Sequence, residues 1–257
     1  MELIITLKKD RISLPIASGH TIQGLFYKAL SADASFATSL HQSGKTTEGR
    51  NFKLFTFSEP VGRYETDGKI ITYIASVKLF FRAADPYIIQ LLFSYFSGHK
   101  KVMLGENEVA VADVTLADNG IFEDRAHIKT LSPITVYQTE ENGHTTYFSP
   151  DDPRFYRAIE KNAQRKWKSS FGDEPFDFHI TPCENARFTK RATRFKETFI
   201  TAYHGEFIIE GHPKILNFLY HSGLDAKTPK ASVCSLLNNK NHSNHRVVFL
   251  FILSSVF

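Results

Sequence analysis

The chain has 257 residues, of which 42% are hydrophobic and 23% charged, with a formal net charge of +4 at pH 7. This length and hydrophobic content suffice for one large or two small packed domains, and they exclude disorder over most of the chain. The two cysteines, Cys183 and Cys234, exclude a disulfide framework and a cysteine-rich metal site. The first residues become charged too soon for a signal peptide, and the apolar run at 247–257 is too short to span a bilayer as a helix. We therefore expect a cytoplasmic protein.

The first half of the chain alternates between strand-like and helix-like hydrophobic patterns. Strands are predicted at 2–8, 52–58, 70–81, 100–104 and 107–117, and helices at 21–31, 34–41 and 85–98. Thr21 is the expected N-cap of the first helix, and Asp85 with Pro86 predicts the start of the third. Gly44 and Gly49 bracket a polar loop before the second strand.

The second half repeats this plan. Strands are predicted at 130–139, 144–148, 176–182 and 198–210, and helices at 153–170 and 212–221. Each half approximates the order β-α-β-β-α-β of a ferredoxin-like domain, although periodicity alone indicates only an α+β protein with two domains. We place the boundary loosely at 120–128 and divide the chain into domains 1–125 and 126–224, followed by an atypical tail at 225–257 for which disorder is one interpretation.

Three polar residues between positions 20 and 58 fit the packing pattern less well than their neighbours: Tyr27, His41 and Lys53. Each can transfer a proton or donate a hydrogen bond to a developing negative charge, so together they can cleave RNA without a metal. Each also has a simpler interpretation. Tyr27 can be a half-buried aromatic, His41 a helix C-terminal residue, and Lys45 or Arg50 can supply the charge assigned to Lys53.

Residues 187–196, RFTKRATRFK, form a basic cluster without an acidic residue. Its cations are Arg187, Lys190, Arg191, Arg194 and Lys196. Such a cluster can hold phosphates while Phe188 and Phe195 either stack on bases or pack inward. A weaker candidate lies on the helix at 153–170, at Lys161, Arg165, Lys166 and Lys168, where a charged face is usually only solvated. No metal ligand set or cofactor motif is indicated.

Several stretches resemble one family. QGLFYKAL at 23–30, a short helix ending in LH, FKLFTFS at 52–58, TLSPI at 130–134 and PDDPRFYRAIEKNAQRKW at 150–167 occur in the order found in the CRISPR repeat-RNA processing endoribonucleases, the Cas-six family of RAMP proteins. The resemblance runs from about residue 1 to about 224. It implies two tandem ferredoxin-like domains, of which the second is either complete or lacks its last strand.

The resemblance also implies an activity, the metal-independent cleavage of CRISPR repeat RNA to 5′-hydroxyl and 2′,3′-cyclic phosphate ends. By this resemblance His41 is the general base or acid, Lys53 stabilises the phosphorane, and Tyr27 orients the 2′-hydroxyl or shares in proton transfer. The implied partners are repeat RNA and subunits of a CRISPR effector complex, with the chain as monomer or homodimer and no membrane association. Two other interpretations stay open: a non-cleaving RNA-binding subunit, and a ferredoxin-like scaffold without an RNA partner.

The sequence departs from the family pattern after Leu224. Members of the family typically carry a glycine-rich loop there, whereas this chain reads DAKTPKASVC at 225–234. A chosen set of codons for that segment, with one base restored at its front, reads Gly-Cys-Gln-Asn-Ser-Lys-Gly-Phe-Gly-Val. We therefore hypothesise that a single-base deletion shifted the frame at Asp225, which the nucleotide sequence of the gene will test.

Overall fold

The computed structural model of this chain describes residues 1–16, 18–33, 45–47, 50–52, 54–130, 133–141, 144–195, 198–224 and 247–250. The helix predicted at 34–41 lies outside these residues. Within them, the main strands and helices follow the predicted chain order in both halves, and the prediction of two tandem ferredoxin-like domains is confirmed.

In the first half, the described elements are, in chain order, β1 (Glu2–Pro15), α1 (Gly19–Leu30), β2 (Lys45–Thr47), β3 (Arg50–Phe52), β4 (Phe55–Phe57), β5 (Tyr64–Thr66), β6 (Ile70–Ala83), α2 (Pro86–Gly98), β7 (Lys101–Leu104) and β8 (Asn107–Ala117). Strand β1 is central in the first sheet, antiparallel to β6 on one side and to β8 on the other. Strand β4 pairs with β6 and β7 with β8, which gives the order β4-β6-β1-β8-β7. The first four of these have the spatial order of a ferredoxin-like sheet.

In the second half, the described elements are β9 (Arg125–Thr130), β10 (Tyr137–Thr139), β11 (Thr145–Tyr147), α3 (Pro153–Phe171), β12 (Phe178–Pro182), β13 (Thr189–Phe195), β14 (Thr198–His204), β15 (Glu206–Gly211), α4 (Pro213–Ser222) and β16 (Val247–Leu250). The order of the main sheet is β12-β15-β9-β16. Strand β16 lies at the edge where the fourth ferredoxin-like strand belongs, but it runs parallel to β9. A ferredoxin-like sheet requires a fourth strand that runs antiparallel to its neighbour. The described residues of the second sheet contain no such strand.

Each half has its own hydrophobic core, built from the alternating residues of its sheet and one face of each helix. In the first core Leu3, Ile5 and Leu7 of β1 are fully buried. Phe26 of α1 lies at the centre of an aromatic cluster, with its ring centroid 4.8 Å from that of Phe81 and 5.3 Å from that of Phe57. These contacts attach α1, and with it Tyr27, firmly to the sheet.

The two longest helices, α2 and α3, are each preceded by an aspartate N-cap and begin with a proline. The side chain of Asp85 accepts a hydrogen bond from the backbone N–H of Tyr87, and that of Asp152 accepts one from Arg154. An acidic N-cap satisfies a free N–H group, and proline loses no hydrogen bond at the first helical position. The predicted start of the helix at Asp85 is thus confirmed.

The two halves meet at a buried ion pair. Arg82 of β6 donates from Nε to a carboxylate oxygen of Glu2, and each residue is only 3% exposed. The same guanidinium lies 3.8 Å from the ring centroid of Tyr220 in α4, and Asn119 donates to the second carboxylate oxygen of Glu2 at 3.1 Å. The pair therefore joins the end of the first sheet to a helix of the second half.

Candidate active site and nucleic-acid interface

Tyr27 lies on α1 with its side chain half-buried against the first core. Its ring contacts that of Phe55 edge-on, with 6.4 Å between the centroids. Burial raises the pKa of the Tyr27 phenol, and a hydrogen bond from the side chain of Gln23, one turn earlier on the helix, opposes this rise. At neutral pH the phenol is protonated, so it can act as a hydrogen-bond donor rather than as a base.

His41 and Lys53 lie outside the described residues, but the backbone on both sides of Lys53 is described. Strands β2 and β3 form a hairpin in which Lys45 pairs with Phe52 and Thr47 pairs with Arg50. Lys45 is therefore opposite the residue that precedes Lys53, whereas Arg50 lies next to the hairpin turn.

The segment around this hairpin lies against the second half of the molecule. Strand β2 contacts α3, and Leu54, which follows Lys53, packs against the second core. Leu54 also accepts a hydrogen bond through its carbonyl from the backbone N–H of Ala84, at 2.8 Å. The stretch that carries two of the three candidate catalytic residues is therefore bounded by elements of both halves.

The basic cluster lies mainly on β13, which pairs with β14 in an antiparallel hairpin. In the backbone register Lys190 is opposite Tyr203 and Arg194 is opposite Phe199. Arg191 is opposite the buried Ala202. Lys190 and Arg191 are exposed. Lys190 and Arg191, as neighbours on a strand, thus belong to different faces of the hairpin.

The ends of the cluster behave differently from its centre. Arg187 precedes β13 and is exposed, and Lys196 lies outside the described residues. Phe188 packs inward, with its ring centroid 5.4 Å from that of Phe207 in the second core. A side chain at Gly205 would meet the Phe188 ring, since an added Cβ would lie 2.3 Å from it. This glycine interrupts the strand predicted at 198–210, which is two strands, β14 and β15.

Arg191 faces an acidic group of the first half. Burial raises the pKa of Glu59 to about 8, and the nearby Arg191 guanidinium partly opposes the rise. Burial also lowers the pKa of His204 to about 4, and Arg191 adds to this effect. Glu59 lies in the turn between β4 and β5, which is held by a hydrogen bond from the Ser58 N–H to the Phe80 carbonyl, at 2.9 Å. The basic hairpin is therefore close to the first domain through Arg191.

The Glu59 carboxyl predicts a dependence of stability on pH. Its pKa is about 8 in the folded chain against an ordinary value of 4.5, so the folded state holds a proton that the unfolded state releases. The stabilising contribution of this group to the free energy of unfolding is fully present below about pH 4.5. It is lost as the pH rises to about 8. We expect the Tm of Glu59→Gln to exceed that of the wild type by several degrees at pH 8 and by much less at pH 5.

Thermal unfolding between pH 5 and pH 8.5 measures this difference. Glu123→Gln, at an exposed position near the domain boundary, is the control for the loss of one carboxyl group. A gap between wild type and Glu59→Gln that stays constant across this range would contradict the assignment.

Two further findings concern metal binding and membrane-spanning helices. Among the described residues, no group of three or more histidine, cysteine, aspartate or glutamate side chains is placed to hold a metal ion. In the same part of the chain, none of the helices is both long and apolar enough to cross a membrane.

Comparison with known proteins supports the resemblance seen in the sequence. The family model described as "CRISPR associated protein Cas6, C-terminal" matches residues 116–230. A curated relative from Methanocaldococcus jannaschii, named "CRISPR-associated endoribonuclease Cas6 1", is 24% identical over 266 residues, covering 96% of this chain and 97% of its own. The chain is a relative of the Cas6 proteins.

Solved structures agree with this relationship at the level of the fold. A Cas6-related protein from Pyrococcus furiosus has a TM-score of 0.73 at 21% identity, covering 88% of this chain and 93% of its own. A RAMP protein described as binding different RNA substrates has a TM-score of 0.72 at 20% identity, with 88% and 94% covered. The Cas6 family-model match ends six residues after Leu224, close to where the sequence departs from the family pattern.

Proposed function

We propose that this protein is a metal-independent endoribonuclease that cleaves CRISPR repeat RNA. The observation that carries the proposal is the alignment, over nearly the full length of both chains, with a relative named as a CRISPR-associated endoribonuclease. The fold shared with Cas6 and RAMP proteins agrees with it.

In the proposed reaction, the 2′-hydroxyl oxygen attacks the adjacent phosphorus and the bond from phosphorus to the 5′-oxygen breaks. One proton leaves the 2′-hydroxyl and one reaches the 5′-oxygen, so the products are a 2′,3′-cyclic phosphate and a 5′-hydroxyl. His41 transfers one of these protons, because an imidazole titrates near neutral pH. Lys53 stabilises the charge of the phosphorane. Tyr27, as a protonated phenol, donates a hydrogen bond that orients the reacting oxygen.

The basic hairpin supplies the proposed RNA-binding surface. Lys190 and Arg191 are exposed on β13, where cations suit the phosphates of an RNA strand. Arg187, Arg194 and Lys196 belong to the same proposed RNA-binding set. Arg191 belongs to the same RNA-binding set, and it lies close enough to Glu59 of the first domain to influence the pKa of that carboxyl group.

The test is incubation of the purified chain with its repeat RNA in excess EDTA. We expect a single cut in the repeat and no cut in a shuffled RNA of the same length and composition. Tight, salt-dependent binding without any cut would favour the non-cleaving RNA-binding subunit instead. Absence of salt-dependent binding would favour a scaffold without an RNA partner.

A further inference from the structure

Helix α2 has an exposed face without a charged side chain. Its sequence, PYIIQLLFSYFSG, contains no aspartate, glutamate, lysine or arginine, whereas the nineteen residues of α3 contain seven. Charged side chains usually cover the solvent face of a surface helix. Four residues of α2 are exposed and spaced three or four positions apart, so they share one side of the helix. These four, here named the α2 stripe, are Tyr87, Gln90, Ser94 and Ser97.

The spacing of the α2 stripe suits a second helix packed alongside it. Its members follow one another at intervals of three, four and three residues, the pattern with which one helix faces another in a coiled coil. Leu91 and Tyr95, on the flank of the α2 stripe, are only half-buried and add apolar surface to it. Depletion of charge together with exposed tyrosine is typical of the core of a protein–protein interface. The α2 stripe therefore has the character of a docking surface for a helix.

The α2 stripe is large at one end and small at the other. Tyr87 is 45% exposed, and the direction of its ring is fixed because its hydroxyl donates a hydrogen bond to Asp33 at 3.0 Å. Ser94 and Ser97 leave a shallow surface at the other end, and serine forms helices less well than alanine or leucine. Small side chains let a second helix approach closely. Such a face complements a copy of itself that runs in the opposite direction.

An antiparallel pair of α2 helices brings the members of the α2 stripe together in complementary pairs. Tyr87 lies opposite Ser97 of the second copy and Gln90 lies opposite Ser94, because the spacing of the α2 stripe is the same when read from either end. The large ring then covers the small serine, and the Gln90 amide can form a hydrogen bond with the Ser94 hydroxyl. A parallel pair would instead place the two Tyr87 rings side by side and the small serines opposite each other.

The charges at the two ends of α2 select the same arrangement. Asp85, the N-cap residue, is exposed, and so is Lys100, two residues beyond the end of the helix. In the antiparallel pair Asp85 of each copy approaches Lys100 of the other, whereas parallel helices would bring like charges together. The dipoles of antiparallel helices also attract each other. A second copy of this chain therefore matches the α2 stripe in size, polarity and charge.

We propose that the chain forms a twofold symmetric homodimer through the α2 stripe, with the two α2 helices antiparallel and Gln90 of each copy next to Ser94 of the other. Such an interface is isologous, because the same patch serves on both copies. Helix α2 is about 20 Å long. One helix pair of this length buries less than the roughly 1,600 Å² of a standard interface, so we expect a Kd on the order of micromolar. The inference concerns assembly and does not depend on the proposed function.

The test is sedimentation velocity of the full chain over a series of concentrations from low to high micromolar, which gives the Kd of the dimer. Gln90→Glu/Ser94→Glu places carboxylates opposite carboxylates in the antiparallel pair, so we expect its Kd to exceed that of the wild type by about tenfold or more. Gln90→Glu/Ser94→Lys places each new glutamate opposite a new lysine of the second copy. We expect this variant to dimerise at least as tightly as the wild type.

The matched control is Gln138→Glu/Thr181→Glu, which adds the same two charges at exposed positions outside α2 and should keep the wild-type Kd. Because all the changed positions are exposed, thermal unfolding should show that each variant folds. A wild type that stays monomeric throughout would overturn the inference and assign the α2 stripe to a partner other than this chain. Equal Kd values for the wild type and the Glu/Glu variant would also overturn it, because the dimer would then use another surface. A Glu/Lys variant that dissociates as readily as the Glu/Glu variant would exclude the antiparallel pair.

Discussion

Replacement of His41 by alanine is expected to lower the single-turnover rate of RNA cleavage by about 10²–10⁴-fold, the usual contribution of a general acid or base. The affinity for repeat RNA should change little, because the assigned role of His41 is proton transfer and the binding charge lies on other elements. Rapid-quench kinetics with enzyme in excess over RNA separates the two quantities, since it measures the chemical step without product release.

His179→Ala is the matched control, because His179 is an exposed histidine of the second half, in contact with Glu160 and Asp177. It should cleave at the wild-type rate. Equal rates for His41→Ala and His179→Ala would remove His41 from the proposed mechanism, and the remaining activity would then have to depend on other groups.

The second large effect concerns stability. We expect Arg82→Met to lower the free energy of unfolding by about 3–5 kcal/mol, because it leaves the Glu2 carboxylate buried without its positive partner. The change also removes the guanidinium that lies on the Tyr220 ring and so weakens the contact between the two halves. Urea unfolding at pH 7 measures the effect.

A double variant shows whether the loss comes from the unpaired charge. In Glu2→Leu/Arg82→Met neither charge is buried, and apolar replacements of buried ion pairs are often neutral or stabilising. We expect most of the stability lost in Arg82→Met to return in the double variant. A double variant as unstable as Arg82→Met would mean that lost packing against Tyr220, rather than an unpaired carboxylate, causes the effect.

Much of the fold follows from local patterns in the sequence. The alternation that buries Leu3, Ile5 and Leu7 and the Asp-Pro start at Asp85 depend on residues close together in the chain, and the structure has both. The division of the strand predicted at 198–210 does not follow from its own pattern. It depends on the Phe188 ring packing against Gly205, a contact between residues seventeen positions apart.

Contacts between the two halves could not be predicted, because no local pattern specifies them. Arg82 of the first half lies on the Tyr220 ring of the second, and Glu59 of the first half lies near Arg191 of the second. The sequence marked Arg191 only as one of five cations. The register of the hairpin is what assigns it to a different face from Lys190.

Helix α3 also shows how far prediction from the sequence can go. Composition grouped Lys166 with its basic neighbours, yet the 3.6-residue period turns Lys166 inward and leaves Lys161 and Lys168 outside. Helical periodicity alone predicts that separation. The hydrogen bonds of Lys166 to the carbonyl oxygens of Ser222 and Gly223, at the end of α4, require the tertiary structure.

The most direct test of the proposed mechanism is cleavage, in excess EDTA, of repeat RNA carrying a single 2′-deoxy nucleotide immediately 5′ of the cut. We expect unmodified RNA to give a 2′,3′-cyclic phosphate and a 5′-hydroxyl, and the modified RNA to stay intact at that position while binding with unchanged affinity. Cleavage of the modified RNA at the same linkage, or products bearing a 5′-phosphate, would contradict attack by the 2′-hydroxyl and with it the roles given to Tyr27, His41 and Lys53.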